Sequence, residues 1–276
     1  MPRPEDAPTA KKVRLDHAVA DRGLAPSRSR AEALIRAGEI LVDDRAVLKP
    51  GTRVADEAVV RVRNPNSDVS RGAAKIRPVL EGIGLSVEGK RAADLGASTG
   101  GFTQVLLELG AECVETFDVG YGLLHESLRT DPRVRVHDRT NVRNLTGGEI
   151  DPVQLVVIDL SFIGLARVLP AAGRIATADA DFLALVKPQF EAGRENVGKG
   201  GVVRDPRVLR GVLEKHLVDL KEAGFVCLGA APAGVPGKKG NREFFSRFRK
   251  RESFGEIPGP IDLDDAFDSI LQSFDL

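Results

Sequence analysis

Cysteine, long apolar runs and an excess of either charge are what this 276-residue chain has least of. Its two cysteines, Cys113 and Cys227, lack metal-ligand spacing and fit reduced thiols in a cytoplasmic protein rather than a disulfide framework. No His/Cys/Asp cluster offers a metal site, so no metal is expected. No stretch reaches the ~18 apolar residues a membrane helix needs, so no membrane partner is expected either. Residues 1–12 are polar and contain proline, without the apolar centre of a secretory signal. Forty Lys and Arg balance forty Asp and Glu. The balance hides an asymmetry, because residues 254–276 hold six acids and no Lys or Arg, leaving 40 bases against 34 acids elsewhere. A mildly basic body suits a polyanionic partner, and the acidic end is expected to be a solvated extension.

What is present is organised around Ala92-Ala93-Asp94-Leu95-Gly96-Ala97-Ser98-Thr99-Gly100-Gly101-Phe102. An apolar run ends in an acid, a small-residue turn follows, and Phe102 to Leu109 resumes a helical pattern. This is the first strand–turn–helix of an open parallel sheet, where ligands bind beyond the carboxyl ends of strands. A dinucleotide fingerprint would put glycine where Ser98 stands, and a P-loop would put lysine before Thr103. A turn without those features suits a nucleoside carrying a cationic centre and no phosphate, which points to S-adenosylmethionine. A glycine-rich turn can also do no more than join strand to helix.

Downstream, Cys113 to Phe117 ends at Asp118, 24 residues after Asp94, the spacing of an acid that holds ribose hydroxyls. Val134 to Val136 leads to His137-Asp138-Arg139, placing Asp138 and Arg139 to meet an adenine. The continuous apolar runs 154–158 and 183–186 predict buried central strands, ending at Asp159 and Lys187. Pro188 biases Lys187 toward an extended backbone at its strand's tip. Phe225 to Ala230 and Glu243 to Phe248 predict an antiparallel pair around the basic loop 236–241. Strands and helices alternate, so the large domain is expected to be α/β, a doubly wound Rossmann-like sheet.

Before it lies a small module. Leu15, Ala18 and Val19 mark one helical face with Gly23 as its stop. Ser29-Arg30-Ala31-Glu32 predicts a capping box for a second helix ended by Gly38. A hairpin is expected from Ile40 to Val47 around Asp43-Asp44, then a strand over 59–63. Arg14 opens the first helix, Arg28 and Arg30 the second, and Arg36 follows. Acids normally balance a helix start, so arginines there fit phosphate oxygens as the missing charge. They fit a merely solvated face equally. Beyond a polar linker, Ser70 is expected to cap a helix on which Arg71 and Lys75 share a face.

Arg14-Leu15-Asp16, Ser27 to Ala31, Leu34-Ile35 and Gly38 to Asp43 resemble the S-four (α-L) RNA-binding module. Ser70 to Lys75, Asp94 to Thr103, Asp118-Val119-Gly120-Tyr121-Gly122, Asp159 to Ile163, Val186 to Glu191 and Gly200-Gly201-Val202-Val203 together resemble the TlyA (hemolysin A) family. That resemblance spans about residues 13 to 250. It implies an S-adenosylmethionine-dependent, FtsJ-like ribosomal RNA methyltransferase acting on a ribose 2′-hydroxyl, with cytidine as the nucleoside. It implies Lys75, Asp159, Lys187 and Glu243 as a catalytic tetrad. Asp94, Gly96, Ala97, Ser98, Thr99, Gly100, Gly101, Phe102, Asp118, Val119, Asp138 and Arg139 are the expected cofactor contacts. Arg14, Arg28, Arg30, Arg36 and Arg71 are the expected RNA contacts. Lys238-Lys239 replaces a proline-containing family loop. The 2′-hydroxyl must lose its proton as it attacks a sulfonium methyl. Lys187 is expected to act as base or to stabilise the forming alkoxide, with Lys75 as a second ammonium whose repulsion favours a neutral amine. Expected boundaries are a disordered arm over 1–12, the RNA module over 13–63, a linker over 64–69, the methyltransferase domain over 70–253 and the acidic extension over 254–276. The partner is ribosomal RNA or a ribosomal subunit, and the chain is expected to be a monomer. A non-catalytic RNA-binding or assembly factor, a small-molecule methyltransferase and a pore-forming hemolysin remain as alternatives.

Overall fold

A computed structural model describes residues 12–25, 27–36, 38–62, 68–161, 163–198, 200–259 and 261–272. The chain divides into two compact units, Met1–Ser67 and Asp68–Leu276, each with its own core.

In the first unit β1 (Lys12–Arg14) leads into α1 (Leu15–Asp21), then α2 (Arg28–Arg36), β2 (Ile40–Val42), β3 (Arg45–Ala46), β4 (Arg53–Ala55) and β5 (Val60–Val62). β1 pairs with β4 while β2 lies between β3 and β5, all antiparallel. The apolar stripes of both helices meet, burying Leu15, Ala18, Val19, Ala31 and Ile35 with Ile40 and Val54. Asp43 and Asp44 turn the β2–β3 hairpin with φ of 47° and 64°, the left-handed pair a two-residue hairpin needs. Aspartate tolerates that region better than most residues.

Three expectations change here. Lys12 is not part of a disordered arm; it pairs with Ala55 as the first strand residue, and residues 1–11 lie outside the described residues. Ser29 is not the cap of α2. The helix starts at Arg28, and the Ala31 amide reaches the Ser27 carbonyl at 2.9 Å, so backbone pairing runs past the capping pattern. The last strand is Val60–Val62, whereas Arg63 and linker residues 64–67 lie outside the described residues.

The second unit runs α3 (Arg71–Gly82), β6 (Arg91–Leu95), α4 (Gly101–Glu108), β7 (Cys113–Phe117), α5 (Glu126–Arg129), β8 (Val134–His137), β9 (Val153–Ile158), α6 (Leu169–Arg174), β10 (Ala176–Val186), α7 (Pro188–Glu191), α8 (Pro206–Glu222), β11 (Phe225–Pro232), β12 (Phe244–Lys250) and α9 (Leu263–Gln272). Among the described residues one sheet forms in the order β11-β12-β10-β9-β6-β7-β8. β12 is antiparallel to both neighbours and the remaining pairs are parallel. Helices cover both faces. Ile76 and Leu80 of α3 and Val105 and Leu106 of α4 pack with Leu155, Leu183 and Phe245. On the other face Leu169 and Ala172 of α6 and Leu220 of α8 pack with Val156, Phe182 and Phe248. The architecture is a doubly wound α/β sheet, and it gathers the carboxyl ends of β6, β9 and β10 next to the start of β12.

The acidic end is not a solvated extension. Phe267 and Ile270 of α9 are buried with Val186, Leu209, Leu213 and Phe244, and each large apolar side chain so buried stabilises by about 1.5–3 kcal/mol. Asp264 pairs with Arg210 at 2.7 Å, and Arg210 lies 5.5 Å over the Phe267 ring. The apolar stripe of this helix outweighs its acids. Residues 273–276 lie outside the described residues.

Candidate active site

The turn after β6 is shaped by what approaches it. Gly96 (φ 93°) lies against the Asp159 carbonyl and Gly100 (φ 96°) against Leu128, so a Cβ at either would collide. Ser70 caps α3 by accepting from the Gly72 amide at 3.1 Å, which brings Ser70, Arg71, Gly72 and Lys75 opposite the turn. One cleft of about 160 Å³ results, lined by those four with Asp94, Gly96, Ala97, Ser98, Thr99, Gly101, Phe102 and Asp159. A larger groove of about 670 Å³, lined by Arg174, Phe225, Lys250 and Arg251 among others, contains none of the expected site residues.

Two carboxylates, Asp94 and Asp159, line the cleft, and a third, Asp118, braces its turn. Asp94 is fully buried, and its Oδ2 accepts from the Thr103 amide and hydroxyl at 3.0 and 2.7 Å. Its Oδ1 is buried without a hydrogen-bond partner among the described residues. Burial, reinforced by Asp159 and Asp118, pushes the Asp94 carboxyl up to about 7. Asp118 ties the turn from β7, its Oδ2 accepting from the Ser98 amide at 2.9 Å and its Oδ1 from the Gly120 amide at 2.7 Å. An orphaned carboxylate oxygen, a crowded glycine cradle and two further acids fit a ligand that carries positive charge.

The loop beyond Asp118 is unusually apolar for a surface. Val119 and Tyr121 are about 70% exposed, and the Arg139 guanidinium lies 4.4 Å over the Tyr121 ring. Asp138 accepts from Arg129 at 2.9 Å and from the Gly122 amide at 3.1 Å. The Arg129 hydrogen bond holds its carboxyl below the usual range. Asp138 and Arg139 therefore flank this loop and do not line the cleft itself.

Lys75, Asp159, Lys187 and Glu243 come together as two ion pairs. Lys187 Nζ lies 2.5 Å from Asp159 Oδ1 and donates to Ser161 Oγ at 3.0 Å. Lys75 Nζ donates to Glu243 Oε2 at 2.7 Å, and Glu243 Oε1 accepts from Gln189 Nε2 at 2.9 Å. Because the carboxylate demands the amide's NH₂, Gln189 presents its Oε1 elsewhere, and that atom is buried without a hydrogen-bond partner among the described residues. Lys187 keeps the extended backbone foreseen from Pro188, at φ −114° and ψ 99°.

Sequence reasoning passed over Ser161, Gln189, Tyr121 and Asn241. Asn241 is buried, accepts from the Val203 amide at 3.1 Å and donates to the Gly201 carbonyl at 2.8 Å. It thereby staples the Gly200–Val203 loop to the loop preceding Glu243. An isolated asparagine between glycine and arginine carries no pattern that would announce this.

The expected RNA contacts divide. Arg14 and Arg28 both bind Asp16, so a carboxylate of the chain, in addition to any phosphate, supplies the charge missing at these helix starts. Arg14 holds the Asp16 carboxyl well below the usual range. Arg36 lies 3.5 Å from Glu32. The Arg30 side chain lies outside the described residues. Arg71 donates to the Pro236 carbonyl at 2.6 Å on the wall of the cleft, in the second unit.

Comparison with known proteins agrees with this geometry. A family model described as FtsJ-like methyltransferase matches residues 69–250, and one described as S4 domain matches residues 13–60. Fold and site define an FtsJ-like methyltransferase domain joined to an S4 domain. Within that class the chain belongs to the TlyA family. It is 47% identical over 242 residues to the 16S/23S rRNA (cytidine-2′-O)-methyltransferase TlyA of Mycobacterium tuberculosis, covering 86% of this chain and 89% of that protein. It is 34% identical to Hemolysin A of Brachyspira hyodysenteriae, covering 86% and 99%. A solved structure from Streptococcus thermophilus, given a provisional hemolysin name, superposes with a TM-score of 0.71 at 33% identity and 96% coverage of both chains.

Proposed function

We propose that this protein transfers the methyl group of S-adenosylmethionine to the ribose 2′-hydroxyl of a cytidine in ribosomal RNA. The observation that carries the reading is the pairing of Lys187 with Asp159, one residue at a strand tip and the other in the wall of the glycine-turn cleft. When bound, S-adenosylmethionine supplies an electrophilic methyl on a sulfonium. The Asp94, Asp118 and Asp159 carboxylates suit that cation, and Asp118 keeps lone pairs for ribose hydroxyls. Asp138 and Arg139 serve the adenine side.

Lys187 is held by its ion pair with Asp159 and its hydrogen bond to Ser161, and meets the 2′-oxygen as its proton leaves. An ammonium so held stabilises developing negative charge on oxygen through a charge-assisted hydrogen bond, and as an amine it would accept the proton. Lys75 and Glu243 form the second pair, net neutral, whose carboxylate holds Gln189. Arg14, Arg28, Arg30 and Arg36 of the S4 domain grip RNA backbone, since A-form helices hide their base edges in a deep major groove. Among the described residues no helix is long and apolar enough to cross a membrane.

The test is to map 2′-O-methyl sites on ribosomal RNA from cells with and without the gene. A site lost with the gene and restored by the wild-type chain, but not by Lys187→Ala, is the expected result. Unchanged methylation would overturn the reading.

A further inference from the structure

Asp16 is solvent-inaccessible, yet both side chains bound to it are half exposed, Arg14 at 45% and Arg28 at 51%. Its Oδ1 accepts from Arg14 Nε at 3.0 Å and from the His17 amide at 3.1 Å. Its Oδ2 accepts from an Arg14 terminal nitrogen at 2.8 Å and from Arg28 Nε at 3.0 Å. The Asp16 amide is itself pinned to the Pro50 carbonyl at 3.1 Å. Carboxylate and backbone are thus fixed, and the two guanidiniums are fixed on them.

The bidentate Arg14 takes about two of the carboxylate's roughly four lone-pair sites, and the His17 amide and Arg28 take the others. Two guanidiniums on one oxygen also repel each other, so the carboxylate is what holds them together. Each guanidinium has five N–H donors. Arg14 directs Nε and one terminal nitrogen at Asp16, leaving donors on its half-exposed side. On α2 the arrangement continues, with Glu32 4.0 Å from Arg28 and 3.5 Å from Arg36. The result is a row of arginines separated by acids, and its one fully buried member is Asp16.

We propose that Asp16 is a positioning residue for RNA recognition, a buried bracket that aligns the Arg14 and Arg28 guanidiniums for phosphodiester oxygens before RNA arrives. The inference rests on the reading of the S4 domain as the RNA-gripping unit. Long side chains already ordered in the free protein lose less freedom on binding. Bulk electrostatics makes the opposite forecast, because removing an acid from a cationic surface should strengthen attraction to a polyanion.

Asp16→Asn separates the two. It removes the charge while keeping the shape and one acceptor. In the full-length protein, affinity for transcribed 16S and 23S rRNA would be measured across salt concentrations, with thermal melting and S-adenosylmethionine affinity as controls. The expected result is a loss of roughly tenfold in RNA affinity at each salt, unchanged cofactor affinity, and partial recovery in Asp16→Glu, which keeps the charge. Arg14→Ala/Arg28→Ala should also weaken binding, and adding Asp16→Asn to that pair should change nothing more. Equal or tighter RNA binding by Asp16→Asn overturns the proposal. So does a loss of the same size in the double-arginine background, which would mark a general effect on the fold. If Arg14→Ala/Arg28→Ala leaves RNA binding intact, the RNA reading of this face fails first and the proposal falls with it.

Discussion

Lys75 and Glu243, 168 residues apart in sequence, meet through Nζ and Oε2 at 2.7 Å with 12% and 3% of their side chains exposed. The pair joins α3 to the start of β12, adding an ionic contact to the apolar packing of Ile76 and Leu80 with Phe245. Removing one partner leaves a buried charge, which costs about 3–5 kcal/mol where burial is complete. Glu243→Gln and Lys75→Met are each expected to lower the urea midpoint. The Lys75→Met/Glu243→Leu double variant should regain much of the stability without regaining methyl transfer. Recovery of activity in the double variant would remove this pair from the catalytic reading.

Lys187→Ala should reduce methyl transfer by roughly 10²–10⁴-fold, the usual worth of a positioned acid–base group. Binding of S-adenosylmethionine and RNA, followed by calorimetry and filter retention, should change far less. A variant turning over at near the wild-type rate would leave Lys187 without a role in the chemistry.

On the proposed reading, Asp94 is expected to make cofactor affinity depend on pH. Its carboxyl, raised to about 7 by burial, holds a proton across the acidic range, whereas a cationic ligand favours the ionised form. Binding therefore releases a proton below that value, and affinity should rise with pH until about 7 and then level. The slope approaches tenfold per unit on the acid side. Calorimetry in buffers of different ionisation enthalpy measures the proton directly, and Asp94→Asn should abolish both slope and proton release.

His216 makes stability depend on pH in a different window. Burial between Phe244 and Phe248 lowers its pKa to about 4 from the ordinary 6.5. The folded state therefore keeps the imidazole neutral while the unfolded chain takes a proton. The contribution is whole above pH 6.5 and drains as pH falls toward 4, by on the order of 3 kcal/mol across the window. Denaturant titrations should show a shallower acid limb for His216→Leu between pH 6.5 and 4. Parallel limbs would mean that this histidine is not what titrates.

The sheet was legible because its strands advertise themselves. The run ending at Asp94, the continuous apolar stretch before Asp159 and the proline after Lys187 each specify where a chain turns and which end faces the ligand. The S4 domain was legible through two helical stripes and the Asp43-Asp44 turn. What escaped depends on partners distant in sequence. The β1–β4 pairing rests on three residues each and carries no period. Asp16 carries no local sign of its burial, because Arg28, twelve residues on, is one of the groups that satisfy it. The composition of residues 254–276 suggests solvation, and only the helical spacing of Phe267 and Ile270 shows otherwise. Gln189 acts through a hydrogen bond to Glu243, and Asn241 through two to the Gly200–Val203 loop, partners that no local pattern predicts.

The place of β12 has a consequence for how the enzyme is made. This last strand lies between β10 and β11, so it is inserted within the sheet, not added at its edge. A chain emerging from the ribosome can assemble β6 to β10 as they appear, but the centre of the far half stays open until residue 250 is out. Glu243 arrives with that strand, and α9 closes over it afterwards. An unfinished chain consequently has the cofactor turn and Lys187 but neither the second ion pair nor the strand that seals the sheet. Translation must therefore pass residue 250 before the sheet and the second ion pair are both in place.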